Sequence, residues 1–130
     1  MDFQPLLAEA RKARDQAYAP YSRFAVGAAL RAKSGRVFTG CNVENLSFGL
    51  TSCAERNAVF AAIGAGEREF EAIAIVADSK QPVSPCGACR QVLAEFAPRL
   101  AICCSNLDGD TFESDLGLLL PRATEGILGT

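Results

Sequence analysis

The chain has 130 residues, 49% of them apolar, with a net charge of −2 and no histidine. That is enough for one ordinary domain with its own core, and no apolar run approaches the ~18 residues that cross a bilayer. The composition excludes Ser-His-Asp and Cys-His catalysis, and without a Lys/Arg run a nucleic-acid partner is not expected. Asp2, Pro5, Glu9, Arg11 and Lys12 break up any leader-like segment at the start. The expected location is therefore the cytoplasm, where the six cysteines stay reduced and act as ligands or core residues.

Phe3, Leu6, Leu7, Ala10, Ala13 and Ala17 recur at helical spacing. They predict a helix from residue 2 to about 18, capped by Asp2 and stopped by Pro20. Phe24, Val26, Ala28 and Leu30 alternate with their neighbours as a strand does. Lys33-Ser34-Gly35-Arg36 is a turn, and Val37 to Val43 is the returning strand. Its end, Asn42-Val43-Glu44-Asn45, puts an amide and a carboxylate on one face, where they can bracket vicinal hydroxyls. A plain loop-capping role for Asn42 and Glu44 competes with that reading.

A second helix is predicted from Cys53, ended by Gly64 and Gly66. Residues 72–77 form a continuous apolar run suited to a strand buried on both faces. A third helix runs from Cys86 to about Phe96. Leu100 to Cys104 reads as a strand, followed by a turn at Asp108-Gly109 and a short segment at Thr111-Phe112-Glu113. Alternating strands and helices predict a sheet with helices on it, joined by right-handed crossovers. Cys103 and Cys104 point to opposite faces and, with Cys41, are expected as small buried apolar residues.

Two stretches carry chemistry: Cys53-Ala54-Glu55, and Pro85-Cys86-Gly87-Ala88-Cys89. Three thiols can gather on one metal with a carboxylate beside it. A structural zinc site is closed by four protein ligands, whereas a catalytic one keeps three and leaves a position for water. Cys86 and Cys89 are neighbours on a helix surface, and the positive end of each helix favours the thiolates a metal needs. Three thiolates, one zinc ion and an ionised Glu55 sum to a negative site. Arg56 is expected to offset that charge by donating to sulfur, while the role of Arg90 stays open.

Cys-x-Glu followed by Pro-Cys-x-x-Cys resembles the zinc nucleobase deaminases. From Tyr18-Ala19-Pro20-Tyr21-Ser22 through Leu119-Leu120-Pro121, the chain is similar to the small, all-cysteine cytidine deaminases. That resemblance implies an α/β fold, a three-layer αβα sandwich on a five-stranded mixed sheet, with residues 1–130 as one catalytic domain. It implies one zinc ion per subunit on Cys53, Cys86 and Cys89, with Glu55 moving protons. Cys53 then occupies the irregular first position of its helix, with Glu55 turned inward. Phe24 would lie against the pyrimidine, Asn42 and Glu44 would hold the ribose 3′-hydroxyl, and backbone groups of Ala54 and Ser84 would contact the base.

The implied reaction is hydrolytic deamination of cytidine and 2′-deoxycytidine in pyrimidine salvage, by a homotetramer whose partner is a small nucleoside. Two departures stand out. Phe48 replaces a loop Tyr of the family, and Arg122-Ala123-Thr124 follows Pro121 where Ala-Phe is usual. Both bear on the cross-subunit part of the site and on substrate range. The competing readings are a deaminase of a modified cytosine nucleoside (blasticidin-like or N4-substituted), a structural zinc module, and a thiol redox protein using Cys86 and Cys89.

Overall fold

In order along the chain come α1 (Gln4–Arg14), β1 (Val26–Ala32), β2 (Val37–Cys41), α2 (Ala54–Gly64) and β3 (Phe70–Ala77). Then follow α3 (Gly87–Phe96), β4 (Ala101–Ser105), β5 (Thr111–Asp115) and a short α4 (Leu116–Leu119). The structure, a computed structural model, describes residues 1–125. The strands form one sheet in the order β2-β1-β3-β4-β5. β1 is antiparallel to both β2 and β3, β3 is parallel to β4, and β4 is antiparallel to β5.

β2 and β3 therefore run the same way on either side of β1, so β2-α2-β3 and β3-α3-β4 are both parallel crossover units. Such units start their helices at the carboxyl ends of the preceding strands, the edge of an α/β sheet where ligands gather. Here α2 and α3 begin at that one edge.

The helices cover opposite faces. Ala58, Val59 and Ala62 of α2, with Leu93 and Ala94 of α3, pack on Leu30, Ile73, Ile75 and Ile102. Leu6, Leu7 and Ala10 of α1 pack on the other face, against Ala29, Ala74, Val76 and Cys103. This is the αβα layering that the resemblance implied. β1 and β3 are apolar on both sides because helices lie on both sides. Two glycines allow the closest approaches. A Cβ at Gly27 would stand 2.0 Å from the Ala10 carbonyl oxygen of α1. One at Gly40 would stand 2.4 Å from the Ala54 carbonyl oxygen and 2.5 Å from the Ala58 nitrogen of α2.

Several boundaries differ from the sequence expectations, each for a local reason. α1 ends at Arg14 rather than near residue 18. Beyond it Tyr18 bridges to Val43 and donates its N–H to the Asn42 carbonyl, 3.0 Å away. Phe3, not Asp2, is the N-cap, although the Asp2 carboxylate accepts the Gln4 N–H at 3.0 Å. Phe24 lies outside β1, because the Asn42 side chain takes the Phe24 carbonyl and the Val26 N–H at 2.9 Å each. Cys103 and Cys104 are buried on opposite faces, whereas Cys41 is only half-buried because β2 is an edge strand.

Candidate active site

Cys53 is the N-cap of α2 and Cys86 the N-cap of α3, both with extended backbone. A residue at that position has left the helical path, so its side chain swings beneath the first turn. Cys89, one turn into α3, is buried below it. The three Sγ atoms lie within 4.8 Å of one another, with Cys86 and Cys89 at 3.4 Å. Cys89 also donates its backbone N–H to the Cys86 sulfur at 3.5 Å. The Cys53 thiol is pulled down to about 5, first by its hydrogen bond with Cys89 and further by Arg56, against the opposing effect of burial.

Residues two apart on a regular helix point to nearly opposite sides, and the N-cap placement of Cys53 lets Cys53 and Glu55 face one space. Glu55 sits in the first turn of α2 and is 5% exposed. Its carboxyl is pushed above the ordinary range, chiefly by burial and then by the charge of Cys53, with Arg56 opposing. A buried carboxyl whose charged form is disfavoured in this way suits a group that takes up and releases protons.

Arg56 Nη2 lies 3.4 Å from the Cys53 sulfur and 3.4 Å from the Thr51 carbonyl oxygen. Its buried Nε has no acceptor among the described residues. A cationic donor on the Cys53 sulfur suits a cluster of thiolates around a cation, whose negative charge it offsets. The donor set therefore fits zinc, a metal that takes sulfur readily and tolerates three protein ligands with one open position.

Arg90 does something else. It donates to the Pro85 carbonyl at 2.8 Å, the Ser84 Oγ at 3.1 Å and the Leu119 carbonyl at 3.1 Å. It thus fastens the loop before Cys86 to the end of α4 rather than touching sulfur. Asn57 was not foreseen from the sequence. It accepts from the Ser52 hydroxyl and donates to the Cys41 carbonyl, both at 2.7 Å, tying the approach of Cys53 to the end of β2. Its only sequence signal is a polar residue on the inner side of an Ala-rich helix.

A cavity of about 280 Å³ opens beside Cys53, Glu55 and Cys86. Phe24, Asn42, Glu44, Ala54 and Ser84 line it too, so every residue expected to touch a substrate faces one space. Phe24 is 38% exposed and is not a core residue. Asn42 is buried and spends its amide on the backbone of Phe24 and Val26. Glu44 accepts from the Tyr21 and Ser22 N–H groups at 3.0 Å each, and from the Ser22 hydroxyl. Those bonds, the Ser22 hydroxyl first, hold its carboxyl below the usual value. A second cleft, at the far end of the sheet between Lys33, Glu69, Phe96 and Arg99, holds no metal donor set among the described residues.

Residues 2–105 match the family model described as the cytidine and deoxycytidylate deaminase zinc-binding region. The chain is 56% identical over 124 residues to the cytidine deaminase of Halalkalibacterium halodurans, covering 95% of this chain and 94% of that protein. It is 53% identical over 124 residues to the cytidine deaminase of Sporosarcina psychrophila, covering 95% and 91%. Among solved structures, the cytidine deaminase from Burkholderia pseudomallei superposes with a TM-score of 0.90 at 52% identity, covering 93% of this chain and 98% of that one.

Proposed function

Because the chain belongs to the cytidine and deoxycytidylate deaminase family, we propose that it deaminates cytidine and 2′-deoxycytidine. The products are uridine, 2′-deoxyuridine and ammonia, and residues 1–130 act as one catalytic domain. Cys53, Cys86 and Cys89 would hold zinc, which when bound would supply the Lewis acidity that makes water nucleophilic at neutral pH. A Glu55 carboxylate oxygen accepts a proton from that water and delivers it to N3 of the ring. It takes up the second proton and hands it to the amine at C4. One water is consumed, the C4–N bond breaks, a C4–O bond forms, and ammonia leaves.

Phe24 supports the flat face of the ring. Asn42 and Glu44 receive the ribose 3′-hydroxyl, and the backbone at Ala54 and Ser84 reads the polar edge of the base. Arg56 offsets the negative charge of the sulfurs. The observation that carries this reading is a buried carboxylate, Glu55, in the same cavity as Cys53 and Cys86.

The exposed Leu46, Phe48 and Leu50, of which Phe48 lines a cleft with Ser22 and Glu44, support a homotetramer that covers them. Pyrimidine salvage in the cytoplasm is the matching physiological setting. The test is an ultraviolet assay of chelator-stripped and zinc-reloaded protein with cytidine, 2′-deoxycytidine and cytosine, run beside zinc quantification. Turnover of both nucleosides that returns with one zinc per subunit supports the reading. Failure of both nucleosides in fully reloaded protein contradicts it.

A further inference from the structure

We propose that Ser22 is a positioning residue that locks the carboxylate of Glu44 and the backbone of Phe24 into one unit at the mouth of the cavity. The inference rests on the roles given above to Glu44 and Phe24, and it gives a role to Ser22, the last residue of the Tyr18-Ala19-Pro20-Tyr21-Ser22 stretch, to which none was assigned. The Ser22 hydroxyl has one proton and two lone pairs. Its proton goes to Glu44 Oε2, and a lone pair accepts the Phe24 N–H at 3.0 Å. The Tyr21 and Ser22 N–H groups meet the other carboxylate oxygen at 3.0 Å each.

Among the described residues no arginine or lysine pairs with Glu44. The Ser22 hydroxyl is thus the side-chain group that sets its direction. Between Ser22 and Phe24 the backbone takes an unusual form. Arg23 has φ of 57°, the left-handed region that a non-glycine residue enters only when its surroundings hold it there. Here the Arg23 N–H is held by the Ala19 carbonyl at 2.9 Å. That turn lets one hydroxyl reach back to Glu44 while receiving Phe24. Ser22, Phe24 and Glu44 all line the cavity beside Cys53 and Glu55. With two N–H groups on Oε1 and the hydroxyl on Oε2, Glu44 offers one remaining lone pair, on Oε2, and so accepts from a sugar hydroxyl in one orientation.

The test is a double-mutant cycle with cytidine, read as kcat and KM. Ser22→Ala is expected to raise KM roughly 5–10-fold, the scale of one hydrogen bond to a charged group at a partly wet site, with kcat within about twofold. Ser22→Thr, which keeps the hydroxyl, restores most of the loss. In a Glu44→Gln background Ser22→Ala adds less than about twofold, because the bond partner has changed. Ser22→Gly repeats the measurement if the alanine variant does not fold. An unchanged KM in Ser22→Ala, a threonine variant as impaired as the alanine one, or a full Ser22 effect in the Glu44→Gln background would each overturn the proposal. If Glu44→Gln alone leaves KM unchanged, the assignment of Glu44 to the sugar fails and the proposal falls with it.

Discussion

Cys53 and Cys104 are the same residue in one small protein, and position alone separates their chemistry. Cys53 at a helix N-cap is drawn down to about 5 by its Cys89 and Arg56 partners, while the Cys89 thiol that shares that hydrogen bond is pushed up. Cys104 lies on β4 inside the core and is pushed up to about 12, mainly by burial, then by its neighbours Cys103 and Glu55. Since the folded protein holds this proton more tightly than the unfolded chain, the resulting stability is complete below the ordinary thiol value of 9.0. It is lost as pH rises from there toward about 12. Cys104→Ala is expected to cost about 1–2 kcal/mol at neutral pH from lost packing, yet to make the alkaline decline in melting temperature shallower. Parallel melting curves across that alkaline range would contradict this account of Cys104.

Arg56 reaches the site through its guanidinium, which lies on Cys53 and lowers both that thiol and Glu55. In Arg56→Ala the acidic limb of the pH–rate curve is expected to move upward, because the groups that must lose protons hold them more tightly. Zinc affinity, measured by chelator competition, is expected to fall ~10–100-fold, the usual effect of removing a partner of the ligands. An unchanged profile with unchanged zinc retention would remove Arg56 from the site.

At the scale of elements, α2 is the part whose placement matters most, since Cys53 and Glu55 ride on its first turn. It sits where it does because Gly40 on β2 leaves room for its backbone. Gly40→Ala drives a methyl into the Ala54 carbonyl and the Ala58 nitrogen, and neither backbone atom can swing away as a side chain tip does. The expected cost is about 1–3 kcal/mol in stability, with a fall in kcat that exceeds any change in KM, as the carboxylate of Glu55 moves away from the reacting atoms. A melting temperature and kcat both equal to those of the parent protein would show that α2 is not held by this contact.

The helices and the inner strands were readable in the chain because their apolar periods are strong and their stops are Gly or Pro. Their ends were not, since ends are set by partners remote in sequence. The amide of Asn42 pulls Phe24 out of the strand its alternation suggests, and the pairing of Tyr18 with Val43 shortens α1.

Across the whole molecule the same distinction separates what the sequence announces from what only folding reveals. Cysteines three apart on one helix, and a Cys-x-Glu at the start of another, are local patterns whose chemistry can be argued from spacing alone. The Ser22 bonds to Glu44 span 22 positions, and those from Arg90 reach across to α4. Both residues lie in or beside marked stretches, yet nothing local there names Glu44 or α4 as the partner. Parallel crossovers bring α2 and α3 to one edge of the sheet, and that topology alone joins two distant motifs into one cavity.

The central claim is that a buried acid next to three sulfur ligands transfers the protons of a deamination. Glu55→Gln tests it most directly, because the amide keeps the shape of the carboxylate and cannot carry the charge. Zinc content and cytidine turnover are measured on one preparation. Zinc is expected to remain at the parental level while kcat falls by at least ~10²–10⁴-fold, the contribution of a general acid–base group. Full zinc with near-parental turnover would mean that Glu55 is not the proton carrier.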